Sequence, residues 1–292
     1  MAAGDVELVV VGIAQDGGLP QAGCSCERCV TALNDQTKIL YPVSCVIRGV
    51  DGSVHLVEAT RSLSYQLGIA ATSLGMGDSL IPDSVSLTHA HLGHIDGIGQ
   101  FGKEAMGQTG IPLYASDSVL RFLEERHLSM PFQANVVLPG STFSPTEGCG
   151  FELEFVRVPH RDEYSDTHAI RVIGPKHTLL FLPDHDDWGQ TLDLVGESSI
   201  RDWLRSMGVD FAMIDGTFWS DDELGGRDMT LVPHPTISET LGLLGEKREG
   251  DPEVIFIHLN HTNPALDGGS SQARELSDLG WSIGEQGSTI LL

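Results

Sequence analysis

Basic side chains are scarce in this 292-residue chain: seventeen Lys and Arg stand against forty-one Asp and Glu, a formal charge of −24. Such a surface repels polyanions and gains nothing from releasing phosphate counterions, so no nucleic-acid partner is expected. No apolar run reaches the roughly 20 residues that span a bilayer. The opening Met1-Ala2-Ala3-Gly4-Asp5 also lacks a basic segment followed by an apolar one. Neither a membrane partner nor a secretion signal is therefore expected, and a cytoplasmic location follows. Linker-like Ser/Pro/Gly tracts, charge runs and repeats of 20 to 50 residues are missing too, which points to one domain over 1–292. A small molecule or a short peptide remains as the substrate class, and the sequence leaves the oligomeric state open, a homo-oligomer included.

Cysteine is sparse as well. There are five, an odd number, and three of them form Cys24-Ser25-Cys26-Glu27-Arg28-Cys29. A disulfide framework calls for an even, dispersed set in an oxidising compartment, whereas a tight cluster without a signal reads as thiolates gathered on a metal. A disulfide between two of the three is the alternative. Cys45 and Cys149 read as small core residues.

What the chain does contain is an alternation of strands and helices. Glu7-Leu8-Val9-Val10-Val11-Gly12 reads as a buried strand, followed over 13–29 by a long loop rich in Gly and Pro. Strands are predicted over 43–50 and 54–58, around an Asp51-Gly52 turn, and over 82–87 and 112–115. Helices are predicted over 61–73, 95–106 and 118–126, the last capped by Asp117. The second half repeats the pattern. Strands fall at 151–159, 169–173, 178–182, 209–214, 254–257, 281–283 and 288–291, and helices at 192–207, 236–247 and 272–279.

Behind the strand at 82–87 comes Thr88-His89-Ala90-His91-Leu92-Gly93-His94, three imidazoles within six residues. Imidazole is the commonest metal ligand at neutral pH, and a loop at a strand end aims several rings at one point. Three further ligand-type residues share that context: His160 after Val156-Arg157-Val158-Pro159, Asp184 after Leu179 to Pro183, and His258 after Val254 to Ile257. Asp186 and Asp187 are alternatives to Asp184. In His258-Leu259-Asn260-His261 the two rings are three residues apart at a strand end, so one can face the active site and His261 can complete a four-ligand clamp with Cys24, Cys26 and Cys29.

The His cluster resembles the His-x-His-x-Asp-His signature of the metallo-β-lactamase superfamily, with Gly93 in place of the aspartate. The resemblance implies a four-layer αββα sandwich. It also implies a site in which His89, His91 and His160 hold one ion, Asp184 bridges, and His94 with His258 help hold a second. Gly93 removes the carboxylate that would serve the second ion and orient water, so one tightly held ion is expected and a second is weaker; Asp96 is a less favoured substitute. The Cys/His clamp resembles the structural zinc site of the phosphodiesterase of the carbon–phosphorus lyase pathway. Gly17 to Gln21, Pro159 to Tyr164 and Ile257 to Pro264 are similar to segments of the pyrroloquinoline-quinone biosynthesis protein B family.

An ion on neutral imidazoles keeps its charge and an open position, which favours metal-dependent hydrolysis of an ester, lactone, amide or phosphodiester. Asp184 would accept a proton. His234, in Val232-Pro233-His234-Pro235-Thr236, is a candidate general acid or else a helix-entry histidine. Arg161 and Arg227 are candidates to hold a substrate anion, and Trp188, Phe218, Trp219 and the loop 220–223 to border the pocket, Trp219 foremost. The ion is Zn2+, Fe or Mn2+, because ligand types alone do not separate them. Iron would give oxygenase or hydroxylase chemistry, as the quinone-biosynthesis resemblance implies, and a silent metal-binding relative is the third alternative.

Overall fold

The computed structural model describes residues 4–75, 80–224 and 232–292. The first half forms β1 (Glu7–Gly12), β2 (Ser44–Arg48), β3 (Val54–Val57), β4 (Ser84–Ser86), β5 (Ile111–Ala115) and β6 (Phe132–Val136). A second set follows: β7 (Thr142–Phe143), β8 (Glu152–Val158), β9 (Thr167–Ile173), β10 (Thr178–Leu182), β11 (Phe211–Asp215), β12 (Glu253–Ile257) and β13 (Ser282–Ile283). The last strand, β14 (Thr289–Leu291), returns to the first sheet, so the two seven-stranded sheets run β14-β1-β2-β3-β4-β5-β6 and β13-β12-β11-β10-β9-β8-β7. Each begins with antiparallel pairs and ends with parallel ones: β3 to β6 in the first sheet, β10 to β13 in the second.

Period-two alternation sorts the side chains into layers. In β1, Leu8 and Val10 join an inter-sheet core with Phe155, Ile170 and Phe181, while Val9 and Val11 face the other way, into a cluster with Leu63, Leu67 and Leu74. Those three belong to α2 (Leu63–Leu74), which follows α1 (Glu27–Asn34); α3 (Leu92–Ile95) and α4 (Asp117–Glu125) complete the helices of the first half. Outside the second sheet lie α5 (Trp188–Val195), α6 (Ile200–Ser206), α7 (Ile237–Leu244) and α8 (Ser271–Asp278), contributing Trp188, Trp203, Leu241 and Leu276 to the core. The result is the expected αββα sandwich. None of the described helices is long and apolar enough to cross a membrane.

Three local expectations are corrected. Ser116, not Asp117, caps α4 by accepting the Val119 amide; Asp117 is the first helical residue and pairs with Arg121. The predicted helix over 95–106 is only α3 and a 3-10 turn at Ile98–Phe101, because the Gly97 amide donates to Ala59 O at 2.8 Å and draws the chain against the neighbouring loop. The helix predicted over 192–207 divides at Gly196, whose φ of +75° closes α5, and Ser199 then caps α6. Strands β6 and β7 give no buried face to read in the sequence, because they lie at sheet edges with their residues exposed or half-buried.

The close approach at Gly97 is checkable. A Cβ there would lie 2.0 Å from Thr60 O, a backbone atom that cannot swing aside. Gly97→Ala is expected to lower unfolding stability by about 1–3 kcal/mol, as overpacking does, measured by urea denaturation; an unchanged midpoint would count against this packing.

Candidate metal centre

Strand direction assembles the site. Since β8 is antiparallel to β9, and β9 to β10, the strands β8, β10, β11 and β12 all point the same way. By the same count β1, β3 and β4 share one direction in the first sheet. Asp16 lies beyond β1, Glu58 directly follows β3, and the three clustered histidines follow β4. His160, Asp184 and His258 lie just beyond β8, β10 and β12, and Asp215 ends β11. Side chains leaving carboxyl ends of strands converge in the crevice beyond them.

Asp184 is the hub, buried to 2% exposure. Its Oδ2 lies 2.9 Å from His94 Nε2 and 3.7 Å from His89 Nε2; its Oδ1 lies 3.5 Å from His258 Nδ1 and 3.7 Å from His160 Nε2. His89 Nε2 is 2.9 Å from His91 Nδ1. Ligands on a tetrahedral ion at about 2.0–2.1 Å stand about 3.4 Å from one another, so the spacings to His89, His94, His160 and His91 suit shared coordination. The metal-type groupings include His89/His91/His160 and His89/His94/Asp184, each with donor atoms within 4.8 Å of one another.

Outer contacts fix which ring nitrogen faces inward. His160 Nδ1 meets Asp186 Oδ1 at 3.2 Å, His89 Nδ1 meets Thr88 Oγ1 at 2.8 Å, and His258 Nδ1 meets Thr217 Oγ1 at 2.8 Å. Nε2 is left as the ligand atom in each, as second-shell partners of metal histidines usually arrange. His160 Nε2 is buried without a hydrogen-bond partner, an orphan that a cation would satisfy. Asp186, the alternative to Asp184, thus holds a ligand from behind, and Asp187 caps α5.

The missing carboxylate is supplied from elsewhere. Asp16, on the loop after β1, places Oδ1 3.3 Å from His94 Nε2 and 3.2 Å from His258 Nε2. A Cβ built on Gly93 would lie 2.3 Å from Asp16 Cγ, so a side chain at 93 and the carboxylate of Asp16 compete for one space. Asp16, His94 and His258 form a further metal-type grouping. Asp96 takes no part in these groupings, and its carboxylate lies 3.9 Å from Arg61 Nη2.

Electrostatics matches the geometry. Burial disfavours a charged His94, yet Asp184, Glu58 and Asp16 outweigh it and hold the ring well above its ordinary pKa. Burial likewise opposes ionisation of Asp16 and Asp184, but the surrounding imidazoles keep both well below the carboxylate range. Burial drives His91 down to about 3. Ionised carboxylates beside a neutral His91 make a negative pocket that suits a cation, and the proton they draw onto His94 is one that a bound metal ion would displace.

His234 is beside this centre. Its Nδ1 lies 2.7 Å from Asp215 Oδ2 and 3.6 Å from Asp184 Oδ1. Burial works against its protonation, but Asp215 prevails and raises its pKa. Asp215 also accepts from Thr217 Oγ1 at 2.7 Å, which ties the His234 and His258 supports together.

A second cluster stands apart. Cys24, Cys26 and Cys29 Sγ lie 3.8, 3.7 and 3.6 Å from His261 Nδ1. A tetrahedral zinc with Zn–S about 2.3 Å and Zn–N about 2.0 Å would set that edge near 3.6 Å. All five cysteines are free, so the disulfide alternative is not realised. Arg28 Nη1 donates to the His261 and Asn263 carbonyls at 2.6 and 2.9 Å, locking α1 to the β12 loop.

Of the other candidates, Arg161 lines a cavity at the mouth of the centre, as does Phe218. Trp219 is packed into the core at 8% exposure and does not line that cavity, whereas Phe218, itself buried, forms part of its wall. Trp188 is core, its Nε1 donating to Thr240. Arg227 lies outside the described residues. Sequence reasoning missed Asp16, Glu58, Asp215 and Arg61. For Asp215 the signal was present, an acid ending a buried strand; for Asp16 there was none beyond the long unexplained loop.

The profile of the beta-lactamase superfamily domain matches residues 80–259. A coenzyme PQQ synthesis protein B from Rhodopseudomonas palustris (strain TIE-1) is 26% identical over 98% of this chain and 100% of its own length. Zn(2+)-bound PqqB from Methylobacterium extorquens is similar in structure, with a TM-score of 0.76 at 19% identity, covering 98% of this chain and 100% of that one. A diphosphatase of the PhnP family gives a TM-score of 0.67 at 19% identity, over 98% and 97%.

Two expectations follow. Gly93→Asp alone should lower the thermal midpoint and the metal content, since it forces out Asp16, and Gly93→Asp with Asp16→Gly should restore both; a double variant no better than the single one would contradict the shared space. Cys29→Ser should remove one equivalent of zinc by elemental analysis and, after cobalt substitution, weaken the thiolate-to-cobalt absorption, leaving the histidine centre to be counted separately.

Proposed function

The chain belongs to the beta-lactamase superfamily, whose domain profile spans more than half of it, and from that premise we propose a metal-dependent hydrolase of a small molecule or short peptide. The scissile bond is an ester, lactone, amide or phosphodiester. One observation carries the reading: buried Asp184 has Oδ2 beside both His89 of one donor set and His94 of the other, so a single carboxylate stands between two donor sets. His89, His91, His160 and Asp184 would hold one ion, and Asp16, His94, His258 and Asp184 a second. Cys24, Cys26, Cys29 and His261 would hold a structural zinc, consistent with the zinc of the PqqB relative.

A divalent ion held there supplies Lewis acidity and brings the pKa of a coordinated water toward about 7. The protein's own part is proton handling. Asp184 accepts the proton lost as the water oxygen bonds to the electrophilic carbon or phosphorus. His234, kept protonated by Asp215, gives its Nε2 proton to the leaving group as that bond breaks, because Nδ1 is committed to Asp215.

The second reading is oxidative. Asp16, His94 and His258 make a two-histidine, one-carboxylate set, the ligand type of non-haem iron oxygenases, and coenzyme PQQ synthesis proteins B are similar to this chain over 98% of its length. Iron loading with oxygen-uptake measurement separates the two.

Ester, lactone and phosphodiester substrates screened with zinc- and manganese-loaded protein test the first. His89→Ala should abolish turnover. His234→Ala should lower kcat by about 10²-fold or more with metal content unchanged; a loss of metal would make His234 a ligand instead, and activity surviving removal of all histidine-bound metal would end the proposal.

A further inference from the structure

Seventeen cations serve forty-one acids in this chain, and most basic side chains are firmly engaged. Arg201, Arg205 and Lys176 meet carboxylates at 2.8–3.0 Å. Among the described residues, Arg61 and Arg161 are held only loosely. Arg61 Nη2 reaches Asp96 only at 3.9 Å, and Arg161 Nη1 reaches Glu163 only at 3.9 Å. Arg161 Nε is buried without a hydrogen-bond partner.

Both arginines line the same cavity of about 460 Å³, which also touches Asp16 of the metal centre and Phe218. They arrive from opposite sheets, Arg61 shortly after β3 and Arg161 after β8. Arg161 is held in place at its backbone: φ is +21° and its amide donates to Asp186 Oδ1 at 3.2 Å, the same oxygen that meets His160. A buried donor with no acceptor is costly unless a ligand completes it. Guanidinium is the group suited to planar or tetrahedral oxyanions.

We propose that Arg61 and Arg161 clamp an oxyanion, carboxylate or phosphate, that the substrate carries outside the bond being cleaved. The inference rests on the reading that this cavity receives the substrate of the metal centre. It assigns the substrate class: a small molecule with an anionic handle and an aromatic or apolar portion against Phe218.

Equilibrium binding to the metal-loaded protein tests this without turnover. Succinate and phenyl phosphate are titrated by calorimetry, with succinamide as the neutral probe and Arg205→Gln as a control far from the cavity. The clamp requires that at least one anion binds and succinamide does not, and that Arg61→Gln and Arg161→Gln each weaken binding about tenfold or more while Arg205→Gln does not. Arg161→Lys, which keeps the charge but not the fork, should fall between parent and Gln. The preferred anion tells carboxylate from phosphate. Equal affinity in parent and Gln variants would assign the anion to the metal alone, and equal binding of succinamide, or none of either anion, would also overturn the clamp. A protein that binds these anions through the arginines but hydrolyses nothing would retain the clamp and lose the hydrolase.

Discussion

A carboxylate buried to 2% exposure can stay ionised only if its surroundings replace water, and Asp184 does so with imidazoles on both of its oxygens. Burying an unpaired carboxylate costs several kcal/mol even after relaxation, so those partners offset a penalty the folded state would otherwise carry. They come from strands far apart in sequence. The requirement is met because the seven strands that deliver donors or their supports run toward one edge of the sandwich, three in the first sheet and four in the second. Chain direction, not local propensity, brings the charges together.

The same constraint explains why the long loop after β1 is ordered. Gln15 N–H donates to Leu259 O at 2.9 Å and Leu259 N–H to Ile13 O at 2.8 Å, stitching the loop to the residue after His258. Asp16 is therefore positioned by the chain segment that bears its partner histidine. Three residues on, His261 meets the cysteines at the far end of that loop. The thiolate cluster, Asp16 and His258 are thus one mechanical unit, in which the sulfur site tethers a carboxylate it never touches. A loop of this length would otherwise be expensive to hold in one conformation.

Much of this was legible in the sequence because the strand-end signal is local: an apolar run followed at once by His or Asp. His89, His91, His94, His160, Asp184 and His258 all carry it, and the clustered cysteines with His261 announce themselves by spacing. Asp16 does not. It stands four residues beyond its strand among glycines, one acid among forty-one, and its role exists only because Gly93, on another strand's loop, leaves the space it fills. Gly93 read alone is a lost ligand. Read with Asp16 it is a relocated one, which no inspection of either segment could disclose. Arg61 and Glu58 were hidden for the same reason, since each matters through a neighbour on a different strand.

An anionic substrate on a chain of charge −24 looks contradictory until range is considered. At physiological salt the field of surface carboxylates is screened over about 8 Å, so a small anion meets little net repulsion before it reaches the cavity. Inside, two guanidinium groups act at contact distance in a setting where charge is poorly screened. A polyanion lying across the outer surface meets many carboxylates at once and few basic side chains to compensate. The acidic exterior and the basic mouth therefore select together on that reading, admitting a substrate with one or two charges and rejecting a polymer of them, with no contact devoted to rejection.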